Sequence, residues 1–243
     1  MMNKMKTTVC ALAVLAASSS AAFAESVDVI VTGTITPSAC TPAISGGGVI
    51  DYGAIAPSTL NPTNYTVLAE KTLAFSIVCD APAKVAIQTR SSRPGSIAGG
   101  IAGLGSGIGV EQLPSGVVLF GYTSIYGVGL GFDVDGTTKI GGYGMRIKPN
   151  SVLVDDVAAT QLFSNNFYSS TSSWTVATSG TLFNTGVHPR VITWADTGTT
   201  VPKAFTTMTG TLGVQAYINY ISELDLTHPI VLDGLSTIEL VYL

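Results

Sequence analysis

Along Ser26–Thr36, Val27, Val29, Val31 and Ile35 fall on alternate positions, with Asp28, Thr32, Thr34 and Thr36 between them. Ile30 interrupts the polar face, and Gly33 takes one place on the apolar face. A period of two built from β-branched residues predicts a strand. Leu73–Val78 and Lys84–Thr89 read the same way, as do Val117–Tyr122 and Tyr143–Ile147. Thr211–Ile221 carries Leu212, Val214, Ala216, Ile218 and Tyr220 at every second position, and Thr237–Leu243 ends the sequence as another strand. Beyond the first two dozen residues no window sustains a helical period with caps. Gly, Pro, Asn and Ser clusters punctuate the strands. The pattern predicts an all-β sandwich or barrel.

Composition narrows the class. Hydrophobic residues make up 46% of the 243 positions and charged residues only 11%, against about 25% charged in an average soluble domain. So little charge with so much apolar side chain excludes a disordered chain. Eleven Lys and Arg stand against fifteen Asp and Glu, a balance that argues against nucleic acid as a partner, because phosphates need cations opposite them. The glycine-rich run Ser96–Gly109 holds neither phosphate-binding pattern and opens no helix, so it reads as a loop or hairpin tip. Ser164–Ser173, rich in Ser and Asn, reads as a surface loop.

The first 24 residues read as an address. Lys4 and Lys6 precede an apolar stretch from Thr7 to about Ala17, and Ala22-Phe23-Ala24 has the small-x-small form of a cleavage site. This is the layout of a secretory signal peptide, 1–24, and the stretch is short of the roughly 20 apolar residues that span a bilayer. Cleavage is expected to leave Glu25–Leu243 with a net charge of 9 − 15 = −6, since two lysines go with the leader, and no transmembrane segment after it. Cys10 leaves with the leader, and Cys40 and Cys79 remain. An even pair in an exported chain predicts a disulfide; the alternatives are two free thiols or half of a zinc site, for which His188 and His228 lie far along the sequence.

Chemistry-bearing motifs are scarce. There is no G-x-S-x-G elbow and no H-E-x-x-H. Asp133-Val134-Asp135-Gly136 hints at a calcium loop but lacks the full spacing and the closing Glu, and Asp-Gly favours a hairpin turn. Asp155-Asp156 is a carboxylate pair whose members, on a strand, point to opposite faces. Trp174 and Trp194 are candidates for stacking on a sugar or for filling core. The expectation is no enzyme, no cofactor and no metal.

Glu25–Asp80 resembles the subunits of bacterial chaperone–usher pili, of the type 1 fimbrial kind. The resemblance rests on ordered features. The N-terminal alternating strand with one glycine is followed, after Pro-Ser-Ala, by Cys40. Val49-Ile50-Asp51-Tyr52-Gly53-Ala54-Ile55 is similar to the family's hydrophobic-Asp-hydrophobic-Gly segment, and Phe75-Ser76-Ile77-Val78-Cys79 sets the second cysteine on a strand. Gly213–Tyr220 and Thr237–Leu243 look like the last two strands, with Tyr242 penultimate. One departure is Ile230, fourteenth from the end, where many pilins carry glycine.

The resemblance implies an immunoglobulin-like sandwich that lacks its last strand, here 37–243 with a long insertion at about 91–205. It implies that 25–36 is a donor strand, with Val27, Val29, Val31, Gly33 and Ile35 presented to a neighbour, and that Ile238, Leu240 and Tyr242 pair with a chaperone. The partners it implies are a periplasmic pilus chaperone, an outer-membrane usher and neighbouring subunits, with passage through the periplasm to a surface fimbrium. The alternative is a periplasmic or surface pilin-like accessory, binding or regulatory protein that does not polymerise.

Overall fold

The computed structural model describes residues 27–34, 38–103, 109–170, 172–184 and 188–243. From Pro37 to Leu243 the chain is one compact unit. Thirteen antiparallel strands and short 3-10 turns account for its regular structure, so the fold is all-β, an immunoglobulin-like sandwich. Among the described residues no helix is long and apolar enough to cross a membrane.

The longest strand, β12 (Phe205–Ile218), is the spine of the first layer. A bulge between Phe205 and Thr207 brings Phe205 and Met208 to the same face as Leu212, Val214, Ala216 and Ile218, all buried. One edge of β12 pairs with β3 (Lys71–Ala83), and β3 in turn with β1 (Cys40–Ile44). The other edge pairs with β7 (Gly141–Ile147) and β8 (Leu153–Val154). A hairpin carries β8 into β9 (Val157–Ser164), which starts the second layer. There β9 pairs with β11 (Val191–Asp196), β11 with β4 (Val85–Ser91), and β4 with β13 (Ser236–Tyr242). The main core lies between the layers around Phe75, Ile77, Ile87, Trp194 and Phe205.

The remaining strands are short: β2 (Thr66–Val67) extends the first layer along β12, β5 (Glu111–Gln112) and β6 (Tyr126–Gly129) continue it beyond β7, and β10 (Thr175–Val176) borders β9. Residues 91–205 therefore supply strands to both layers as well as loops. Part of this region, with Ile97, Ala98, Leu113, Val117 and Leu119, forms a second core with Tyr217 of β12. Tyr217 donates its hydroxyl to the Ala98 carbonyl at 2.6 Å. Close approach here depends on glycine: a Cβ on Gly142 would stand 2.8 Å from both Ile97 and the Tyr217 ring. Gly142→Ala is expected to cost about 1–3 kcal/mol through overpacking, read as a lower denaturation midpoint at unchanged slope.

Most of the alternating segments are strands where the pattern puts them, and three differ. Val117–Tyr122 is not a strand: Leu119 and Tyr122 bridge across a tight turn in which Phe120 and Gly121 have φ of 57° and 82°. Its alternation comes from burying Val117 and Leu119 in the second core. β12 ends at Ile218, and Ile221–Glu223 is a 3-10 turn. Residues 27–34, taken by themselves, carry no strand, because a strand needs a ladder partner and the described residues give them none. Ile35 lies outside the described residues.

Candidate functional site

The sheet wraps from β1 through the spine and round to β13, so two of its edges, those of β1 and β13, border the same seam. Among the described residues β1 pairs only with β3, and β13 only with β4. The two edges meet at one end, where the Cys40 N–H donates to the Tyr242 hydroxyl at 2.8 Å. Beside this contact Cys40 and Cys79, opposite one another in register, form the expected disulfide. From there the edges diverge around a groove with two chambers. The first, about 550 Å³, lies between β1 and the start of β13. Its floor is core: Phe75 of β3, Leu212 and Val214 of β12, Tyr143 and Met145 of β7. The second, about 540 Å³, lies between 50–60 on one wall and 224–232 on the other.

Ile50, Tyr52 and Leu232 line both chambers, so they form the waist. Tyr52 is held in place by its hydroxyl, which donates to the Val214 carbonyl at 3.3 Å and accepts from the Ala216 N–H at 3.2 Å. These bonds fill the gap that β12 has between the ends of β3 and β2. Burial pushes the Tyr52 hydroxyl above the ordinary tyrosine value, so it remains a neutral donor. The Lys71 ammonium lies 5.3 Å over the Tyr52 ring.

The wall opposite extends β13 backwards. Ile230, Leu232, Ile238 and Leu240 are half-buried against the core, while Val231 faces out at 74% exposed. Ile230, at the position where many pilins have glycine, lines the second chamber. Of the three C-terminal residues singled out from the sequence, Ile238 lines the groove and Leu240 packs into the core beside it. Tyr242 is exposed and serves through its hydroxyl. Of the N-terminal set, Val27, Val29 and Val31 are 88%, 85% and 92% exposed, and a Cβ on Gly33 would touch nothing.

The other candidates resolve into structural roles. Trp194 is fully buried against Phe205 at the heart of the core, where its ring fills core. Trp174 is half-buried beside Phe167. Asp133–Gly136 is a turn closed by Gly136 N–H to the Asp133 carbonyl, and Asp135 caps Thr137 and Thr138. Those bonds, led by Thr138, hold the Asp135 carboxyl well below the usual range. Asp155 and Asp156 are not strand neighbours: both have positive φ and make the two-residue turn between β8 and β9. Asp155 accepts from the backbone of Thr206 and Thr207. The resemblance implies an open groove where a last strand is lacking, but apart from the C-terminal strand its residues were not singled out from the sequence, because its floor and walls come from five distant segments; the alternation of Ile230, Leu232, Ile238 and Leu240 was the available signal for one wall.

A family model described as "Protein of unknown function (DUF1120)" matches residues 29–144. The chain is also similar to Protein GltF of Escherichia coli (strain K12), 28% identical over 256 residues, covering 99% of this chain and 98% of that protein. It is similar to Uncharacterized protein YhcF of the same strain, 27% identical over 253 residues and across the whole of both chains. No solved structure matches. The similarity to the two proteins therefore runs through every strand from β1 to β13.

Proposed function

We propose that the protein is an exported subunit of a chaperone–usher type surface fibre, and that its groove takes a β-strand from a partner. One observation carries this reading: an apolar floor lies open between two strand edges that, among the described residues, have no partner on that side. An open edge beside exposed core is an aggregation hazard unless something fills it, and strand addition is the general solution, with backbone bonds supplying affinity and alternate side chains supplying specificity. A periplasmic chaperone fills the seam first, and residues 25–36 of a neighbouring subunit replace it. The exposed alternating face of Val27, Val29 and Val31 suits the donor role. Gly33 is the one position on that face without a side chain, and the waist lined by Tyr52 is where this reading places it.

The test is capture of a labelled peptide of residues 26–36 by the protein lacking residues 25–36, followed by fluorescence anisotropy. The peptide is expected to bind, and its Gly33→Val version to bind at least about tenfold more weakly, the equivalent of about 1.4 kcal/mol. A groove that ignores both peptides sinks the proposal and leaves a complete, non-polymerising accessory protein as the better reading.

A further inference from the structure

The wall of the second chamber is a strap, residues 224–232, that joins no ladder. It rests on the core through Leu224, Ile230 and Leu232. Among the described residues, 225–232 make a single ion pair with the rest of the protein: His228 Nε2 lies 3.7 Å from Oδ2 of Asp133, in the loop between β6 and β7. The same nitrogen lies 3.6 Å from Asp225 Oδ2 on the strap itself. On its other side, Nδ1 lies 3.3 Å from the Pro229 carbonyl. Both ring nitrogens thus face acceptors, an arrangement that suits the doubly protonated imidazolium. The Asp133 side chain is only 3% exposed and its Oδ1 already accepts the Val134 N–H, so its second oxygen points at His228 with little water to screen it.

We infer that His228 is a proton-operated latch: charged, it ties the strap to Asp133 and narrows the second chamber; neutral, it lets the strap swing and the groove widen. The inference rests on the reading of the groove as a strand-uptake site, which it extends to regulation. The charged groups beside the His228 ring are Asp133 from the β6–β7 loop and Asp225 from the strap; Asp135 acts on Asp225, and Asp51 lines the opposite wall of the chamber. All are acidic, and among the described residues no Lys or Arg lines the chamber. An imidazolium is what these carboxylates hold, so the latch closes on the acid side and opens as pH rises through the range in which histidines in general lose their charge, about pH 5 to 8. By linkage, a strand that displaces the strap releases protons there, and protons oppose its uptake.

The test is amide hydrogen exchange of residues 224–235 in the purified protein at about pH 5.5 and about pH 8, corrected for the intrinsic pH dependence of exchange. Strap protection is expected to be about two- to fivefold greater at the lower pH, the range that one exposed to partly buried ion pair supplies. His228→Gln and Asp133→Asn are each expected to abolish the difference at the unlatched level, while His188→Gln keeps it. A strap equally protected at both pH values, or a pH step that survives both variants, overturns the latch. Capture rates of the 26–36 peptide, measured in parallel, separate the two ideas. A pH step in the strap with no peptide bound at either pH removes the strand-uptake reading and leaves the latch; peptide captured at the same rate throughout, with no step, does the reverse.

Discussion

A protein lacking residues 25–35, with a copy of Val27–Ile35 placed after Leu243 through a short flexible linker, is expected to melt roughly 10–25 °C above the unaltered chain and to remain monomeric. The geometry makes the graft natural. β13 is the last strand and its free edge borders the groove, so a strand that turns back after Leu243 runs antiparallel to it and enters the seam beside β1. Burying four large apolar side chains there contributes about 6–12 kcal/mol, an upper bound because the detached segment is already partly collapsed. In a protein of this size each kcal/mol is worth about 2–4 °C. Differential scanning calorimetry with light scattering gives both numbers at once. Equal melting points for the two forms would show that the sandwich is complete without an added strand, and the fibre reading would go with it.

The second large effect concerns the disulfide. Cys40→Ser together with Cys79→Ser is expected to remove about 4 kcal/mol, the loop-closure value for a separation of 39 residues. The loss falls on one element in particular. β1 is five residues long and pairs only with β3, so without the covalent tie it depends on its ladder and on Ile44. The double variant should therefore unfold at a lower denaturant midpoint. It should also show early exchange of the β1 amides before the rest of the first layer, as a low-stability local opening does. A midpoint within about 1 kcal/mol of the parent would place the stability of that wall elsewhere.

What could be read in advance follows from which faces meet water. β3, β4, β7, β12 and β13 announce themselves because they carry alternation or β-branched runs bounded by turns. β11 does not: Val191 through Ala195 are all buried, both faces are covered, and the two-residue period vanishes. Val117–Tyr122 alternates for a different reason, since a loop that tucks two residues into a small core produces the same string as a strand. The cysteine pair was legible because, once the first 24 residues are read as a leader, two thiols remain with no competing partner. The floor of the groove was not, because Phe75, Tyr143 and Leu212 look like ordinary core in sequence. Only the wrap of the sheet places part of that core beneath an open seam. Likewise nothing in the order of residues announces that His228 meets Asp133, ninety-five positions earlier.

The second core has a mechanical consequence. Where it covers β7 and β12, the floor of the groove is clamped from behind. Arg146 adds a paired contact to Glu70 at 2.9 and 2.7 Å and lies 4.6 Å over the Phe120 ring. The two walls have no such backing: one is a five-residue edge strand, the other an edge strand continued by the strap. Stiffness is thus distributed unevenly, a rigid bed between compliant lips. Whatever lies in the seam finds a fixed set of depths beneath it and an adjustable width around it, so the floor selects side chains while the walls accommodate the backbone that brings them.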